Sequence, residues 1–307
     1  MKALIKSMRL RTLPLSLAGV VCGGIMGYAQ PDCHPGTHIF LVLTAVSLQI
    51  LSNLCNELGD HLSGVDGEGR EGPNYSMTDG GLTVKQMWRA INGTVVTCCV
   101  SGLLMLLFSF QFSIFNYQFA GLLALGAAAI WAATHYTLGK KPYGYIGLGD
   151  LFVFIFFGLA SVLGSHYVIA HSFLSPYTNG LIPVLAPAIG VGLLSVAVLN
   201  VNNIRDMQTD EGFRKTIPLC IGERSAKIYQ TLLVVLGVAC FAWNKESFCM
   251  CVIPAIPIFL WHIIGVWRRK GKRLDPMLPL LVISTFALAW WYAEIYYVEI
   301  TCPWPIW

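Results

Sequence analysis

Charge is scarce in this chain. Asp, Glu, Lys and Arg make up 12% of its 307 residues, about half of the ~25% usual in a soluble domain, and 55% of residues are hydrophobic. That balance excludes a soluble globule and implies an integral membrane protein. The ten cysteines include no Cys-x2-Cys pair, which excludes a zinc framework of the usual kind. Most of them, such as Cys22, Cys98, Cys99 and Cys240, fall inside apolar runs and read as small packing residues. His166, His171 and His262 stand alone, without partners at metal-ligand spacing. No small-residue cleavage site follows the basic N-terminus, so the first apolar run reads as a span and not as a signal peptide.

Long apolar runs occur near 13–29, 38–56, 92–110, 117–135, 147–170, 181–203, 227–243, 249–267 and 277–297. Each has roughly the 17–25 residues that a helix needs to cross the hydrocarbon core. They are far too long for barrel strands, and hydrocarbon offers no water to backbone amides, so the expected fold is an all-α bundle of nine transmembrane helices. Lys and Arg test the count independently. Nineteen of the 20 fall before the first span or in the loops after the second, fourth, sixth and eighth, and only Lys245 lies in an alternate loop. By the positive-inside rule this places the N-terminus in the cytoplasm and the C-terminus outside, in the cytoplasmic (inner) membrane. The net charge of +4 thus reflects orientation and does not indicate a nucleic-acid partner.

Polar residues concentrate at two helix ends. Asn53-x2-Asn56-x3-Asp60-x5-Asp66 closes one apolar run, and Asn202-Asn203-x-Arg205-Asp206-x3-Asp210 closes another. Amides and carboxylates four residues apart share a helix face, and hard oxygen ligands of this kind suit Mg²⁺ carrying a diphosphate. Arg214-Lys215 follow the second motif, which fits a metal-bound anion better than a lone cation. The cytoplasmic loop 57–90 is rich in glycine and suits an adaptable lid, with Thr83 to Ile91 expected as a short interfacial helix that turns Met87 and Trp88 to lipid. The second cytoplasmic loop spans 204–226. Tyr136-x3-Lys140 follows the fourth run and offers a hydroxyl or ring face and a point charge, or else only an aromatic belt with a snorkelling lysine. Asp150 opens the fifth run and reads as a helix cap.

Similar motifs four spans apart suggest a duplicated four-helix unit, and this layout resembles the UbiA superfamily of intramembrane prenyltransferases. The resemblance covers nearly the whole chain, as a single transmembrane prenyltransferase domain over 1–307. It rests on Asn56-Glu57-x2-Asp60-x5-Asp66, Asp206-x3-Asp210 and Tyr136-x3-Lys140. Arg9-x-Arg11-Thr12-Leu13-Pro14 and Tyr143-Gly-Tyr-Ile-Gly-Leu-Gly-Asp150 are most similar to the family's menaquinone branch. Glu57 departs from the Asp of many members, and Asn74-Tyr75 stand where an Arg is usual, with Arg70 nearby to compensate. The resemblance implies Mg²⁺ held by Asn56, Asp60, Asp206 and Asp210. It implies polyprenyl diphosphate and 1,4-dihydroxy-2-naphthoate as substrates, the latter decarboxylated on transfer. Asn53, Asn56, Arg70, Tyr136, Lys140, Asn202, Asn203, Arg205 and Lys215 would bind substrate, and Asp60, Asp66, Asp206 and Asp210 would be catalytic. Asp66 is open as metal ligand or proton acceptor. The bilayer and its lipid would receive the prenyl tail through a gap between apolar helices.

Two other classes compete. A secondary transporter would place its ion-binding groups near the bilayer midplane, whereas these spans carry almost no charge at their centres. A phosphatidyl-alcohol transferase would show Asp-Gly-x2-Ala-Arg, which is absent. Another aromatic acceptor, such as 4-hydroxybenzoate, remains open within the family.

Overall fold

The structure is a computed structural model that describes residues 2–28, 34–64, 76–114, 117–174, 180–242 and 247–301. After a short helix Lys2–Ser7, nine long helices follow among the described residues: α1 (Leu13–Gly27), α2 (Pro35–Ser63), α3 (Val84–Ser109), α4 (Tyr117–His135), α5 (Gly149–Ala170), α6 (Ile182–Arg205), α7 (Glu223–Ala239), α8 (Phe248–Arg268) and α9 (Met277–Thr301). Among the described residues eight stretches are long and apolar enough to cross a membrane. The remaining expected span, α7, is a helix of 17 residues whose first turns carry Glu223, Arg224 and Lys227, so length and composition alone do not establish it as a crossing.

Local chemistry sets the helix ends. Pro35 occupies the first turn of α2, where its missing N–H costs nothing, and the His34 side chain accepts from Gly36 N at 3.0 Å. At 29 residues, α2 is about 44 Å long at ~1.5 Å per residue, well beyond the ~30 Å of bilayer hydrocarbon. It continues through Asn56, Glu57 and Asp60 to Ser63. These residues therefore stand on helix, and the expected loop 57–90 contracts to the segment between Gly64 and Thr83. Thr83 and Gln86 form a reciprocal capping box at the start of α3. The expected interfacial helix over Thr83 to Ile91 is instead the first two turns of α3. Met87 is fully buried there, against expectation, while Trp88 is 42% exposed. Asp150 is likewise not a cap: its Oδ2 accepts a hydrogen bond from Tyr229 of α7 at 3.0 Å.

α1 sits centrally between α5 and α9. α2 packs on α3, and four spans later α6 packs on α7, in keeping with the expected repeat of four-helix units. Close crossings depend on glycine. A Cβ on Gly23 of α1 would overlap the Val162 carbonyl, and one on Gly158 of α5 would lie 2.5 Å from Gly192 Cα of α6. Small residues at such crossings let helices approach where lipid supplies no hydrophobic driving force. Among the described residues five apolar clusters result, of which two are the most extensive. The larger joins α1 and α5 to α9 around Ala18, Leu194, Phe241 and Tyr292, and the smaller joins α2 and α3 around Leu51, Leu54, Leu58 and Met87.

Overpacking a close crossing costs about 1–3 kcal/mol. Gly158→Val is expected to lower the melting temperature of the detergent-solubilised protein, whereas Gly126→Ala in α4, whose added Cβ meets nothing within 4 Å, is expected to leave it unchanged. Thermal melting followed by size-exclusion chromatography measures both.

Candidate active site

The long reach of α2 brings Asp60 to the end of the bundle, where two loops meet it. Lys215 N donates to Tyr145 O at 2.9 Å, and Ile146 pairs with Lys215 in an isolated backbone bridge. The loop after α4 is thereby tied to the loop after α6. Tyr145 donates its hydroxyl to Asp60 Oδ1 at 2.9 Å and shares a hydrogen bond with Ser63 Oγ. Arg214 lies between the two motifs. Its Nε is 2.9 Å from Asp210 Oδ1, one of its terminal nitrogens is 3.8 Å from Asp60 Oδ1, and its guanidinium carbon is 5.5 Å from the centre of the Tyr145 ring. Asp60 and Asp210 are 4% and 2% exposed. Two nearly buried carboxylates, one from each motif, therefore converge on one guanidinium.

The electrostatics follow from that convergence. Burial works against the charge on Arg214, but Asp60 and Asp210 more than offset it and hold the group protonated. The Tyr136 phenol is pushed up to about 12, chiefly by burial; Arg214 opposes the shift, and Asp60, Asp150 and Asp210 add to it. Burial and then Asp60 also push the Tyr145 phenol up. Both tyrosines therefore stay neutral and able to donate hydrogen bonds near neutral pH.

The second motif divides. Arg205 grips Asp206 with two hydrogen bonds of 2.7 and 2.6 Å, and also donates to Asn202 Oδ1 at 2.8 Å and Asp275 Oδ1 at 2.9 Å. Asp206 is thus engaged by its neighbour while Asp210 turns to Arg214, although the two are four residues apart. Asn203 is 5% exposed; Lys140 and Lys215 are exposed. In the first motif, Asn53 donates to Met8 O and Thr12 Oγ1 at 2.9 and 3.0 Å and so ties the N-terminal segment to α2. Asn56 Oδ1 lies 3.4 Å from Thr137 Oγ1. Glu57 is fully buried, and its Oε1 accepts from Met77 N at 2.9 Å, which anchors the far end of the glycine-rich loop. Asp66 and Arg70 lie outside the described residues.

Beside this polar cluster opens a cavity of about 320 Å³ between α1, α2, α4 and α5. Asn53, Asn56 and Tyr136 line its polar end, and Leu41, Met105 and Val168 line the apolar remainder. Phe156, Phe157 and Ala160 reach it from a π-helical segment, Phe154–Ala160, within α5; wide turns of this kind recur at functional sites. α4 packs on α2 and α3 and approaches α5 less closely, which leaves an apolar seam bridged by side chains such as Trp131 and Phe152, whose ring centres are 6.1 Å apart. Chemically, the arrangement can hold an anion at its cationic, oxygen-rich end and a long apolar group beside it.

Among the described residues no three His, Cys, Asp or Glu side chains gather as a metal cluster. Mg²⁺ does not require one, since it commonly takes one or two carboxylates and completes its shell with water and substrate phosphate. Asp60 and Asp210, both directed at one positive charge, with Asn56 on the cavity wall, are a donor set that fits it.

Tyr145 is the residue that motif reading did not single out, and Arg214 was named only together with Lys215. Their signals were present: Arg214 follows Asp210 by four residues, and Tyr145 lies inside the Tyr143–Asp150 stretch. Asp275 gave no local sign of its pairing with Arg205, 70 positions away. Arg205→Ala leaves Asp206, 3% exposed, without its bidentate partner, and breaking a buried pair costs about 3–5 kcal/mol. The expected result is a lowered melting temperature of the purified protein, measured in detergent.

The UbiA prenyltransferase family matches residues 16–291. Two curated relatives are named 1,4-dihydroxy-2-naphthoate octaprenyltransferase. The one from Escherichia coli (strain K12) is 41% identical over 78% of this chain and 75% of its own length. The one from Haemophilus influenzae is 34% identical over 91% and 92%. Among solved structures, the apo UbiA homolog from Aeropyrum pernix superposes with a TM-score of 0.66 at 16% identity, covering 91% of this chain and 97% of that one. A UbiA homolog from Archaeoglobus fulgidus, bound to GPP and Mg²⁺, superposes at 0.58 and 15% identity over 94% and 99%. Family match, relatives and fold agree with the paired polar motifs at the mouth of an apolar cavity, and the chain belongs to the UbiA prenyltransferase family.

Proposed function

We propose that the protein transfers a polyprenyl chain from polyprenyl diphosphate to 1,4-dihydroxy-2-naphthoate with loss of CO₂, giving demethylmenaquinol for menaquinone biosynthesis. The observation that carries this reading is the meeting of Asp60 and Asp210 at Arg214, beside the apolar cavity. The acceptor follows the printed names of the relatives. We place the site at the cytoplasmic side of the inner membrane, with the N-terminus inside and the C-terminus outside, on the asymmetry of Lys and Arg.

Heterolysis of the allylic C–O bond leaves both electrons on the departing diphosphate, so its developing charge must be neutralised. Mg²⁺, held by Asp60 and Asp210 with Asn56, would supply most of that neutralisation when bound. Arg214 lies close enough to both carboxylates to meet the same phosphate oxygens, and Tyr145 holds Asp60 in place through its hydroxyl. Lys140 and Lys215, both exposed at this end, would reach the diphosphate as point charges. Asp206 acts indirectly in this account, by fixing Arg205 and the end of α6. The carbon skeleton of the prenyl group lies in the cavity, with its tail leaving through the seam between α4 and α5 into lipid. Tyr136, Phe156 and Phe157 present ring faces to the allylic cation and keep water from it. The dihydroxynaphthoate ring attacks the cation, and its carboxylate departs as CO₂.

Purified protein given polyprenyl diphosphate, dihydroxynaphthoate and Mg²⁺ is expected to release diphosphate and CO₂. EDTA or Asp60→Asn is expected to abolish both. Turnover that persists in EDTA would refute the metal assignment, and a preference for 4-hydroxybenzoate would refute the acceptor. Arg214→Gln is expected to lower kcat by about two orders of magnitude, the usual loss when a preorganised donor to developing charge is removed; a wild-type kcat would remove Arg214 from the reaction.

A further inference from the structure

Two arginines at the polar end of the bundle each stand between two carboxylates from different segments. Arg214 stands between Asp60 and Asp210 and belongs to the site described above. Arg205 stands between Asp206 and Asp275, and no step of the proposed reaction uses Asp275. That residue comes from the connection between α8 and α9, far in sequence from both polar motifs.

The connection is firmly seated. Leu274 is fully buried and Met277 nearly so, both in an apolar cluster with Val201 and Ile204 of α6, and Lys227 of α7 donates to Arg269 O at 3.0 Å. Asp275 lies between the two apolar anchors and is thereby set opposite the end of α6, where its Oδ1 accepts from Arg205 Nη1 at 2.9 Å. A guanidinium has five N–H donors, and the hydrogen bonds to Asp206, Asn202 and Asp275 engage four of those on Arg205. Arg205 is therefore committed to protein oxygens, against the expectation that it binds substrate. Asp206 already balances its charge along the Nε and Nη2 edge, so Asp275 is not required for neutrality. What Asp275 contributes is a hold on Nη1 from a second side, which fixes the plane of the group and with it the carboxylate of Asp206.

The backbone carries this order to the site. Asp206 O accepts from Thr209 N at 3.1 Å and from Asp210 N at 2.9 Å, and Asp210 O accepts from Arg214 N at 3.2 Å. The turn that presents Asp210 to Arg214 thus begins at Asp206. We infer that Asp275 is a positioning residue for the diphosphate end of the reaction: through Arg205 and Asp206 it sets where Asp210 and Arg214 stand, and so the affinity for a magnesium-bound diphosphate. Asp275 itself touches neither substrate nor metal. The inference rests on the function proposed above and adds the connection after α8 to the two loops that build the site.

The test uses the full-length protein in detergent, titrated calorimetrically with inorganic diphosphate in Mg²⁺ and in EDTA. The Asp275 side chain is 39% exposed, so its truncation leaves no buried void. Asp275→Ala is expected to raise the Kd for magnesium diphosphate about tenfold, the effect of losing one charge-assisted hydrogen bond. The KM for polyprenyl diphosphate should rise by a similar factor, with kcat at saturation kept. Asp275→Glu restores the charge and is expected to recover part of the affinity. Lys270→Ala removes a neighbouring ion pair, with Glu223, and is expected to leave the Kd at the wild-type value. An unchanged Kd in Asp275→Ala, whatever its melting temperature, overturns the inference. An equal loss in Lys270→Ala does so too, because the effect would then belong to the connection as a whole. If the wild type binds diphosphate as tightly in EDTA as in Mg²⁺, the metal assignment falls, and the same variants compared on metal-free diphosphate decide the positioning role. A wild type that binds no diphosphate in either condition refutes the anion site and the inference with it.

Discussion

Two carboxylates that are 150 positions apart in sequence, Asp60 and Asp210, share one guanidinium at the end of a helical bundle. Either carboxylate buried alone would carry a large desolvation cost, and so would Arg214. Together the two carboxylates and the guanidinium compensate one another beside hydrocarbon. The loops obey the same constraint: Arg214 N donates to Asp210 O, the next residue, Lys215, is tied through its backbone to Tyr145, and Tyr145 is in turn bonded to Asp60. The polar end of the bundle is therefore one connected unit built from α2, the loop after α4 and the loop after α6.

The surrounding architecture separates two chemical environments within a short distance. The cationic cluster suits an anion, and the cavity beside it suits a chain of hydrocarbon. Helix geometry makes this separation possible. Glycine crossings let α1, α5 and α6 approach closely, while α4 meets α5 mainly through side chains, so the helices lie closer on one side of the site than on the other. The phenylalanines of the π-helical segment in α5, Phe156 and Phe157, line the cavity.

Much of the fold was legible because lipid imposes simple rules. A long apolar run can only be a helix, and the asymmetry of Lys and Arg orders the loops. The motif residues were legible because amides and carboxylates at a helix end are unusual in so apolar a chain. Their partners were less so. Motif spacing alone placed Asp206 and Asp210 together, yet α6 ends at Arg205, and the change of direction there sends one carboxylate to Arg205 and the other to Arg214. Met87 was misread because an interfacial position and the first buried turn of a span look alike in sequence. The N-terminal contacts of Asn53 were not visible at all, since they depend on a segment 45 positions earlier folding back on α2.

The chain's own order of residues determined that this protein is a bundle of apolar helices with two polar motifs at one end, because both properties follow from local composition and from periodicities within a single helix. Tertiary structure alone decided which carboxylate meets which arginine, that Tyr145 joins the site, and that an apolar cavity opens beside it. Those are relations between elements far apart in sequence, and they depend on the distances and angles at which helices cross, which no single segment encodes.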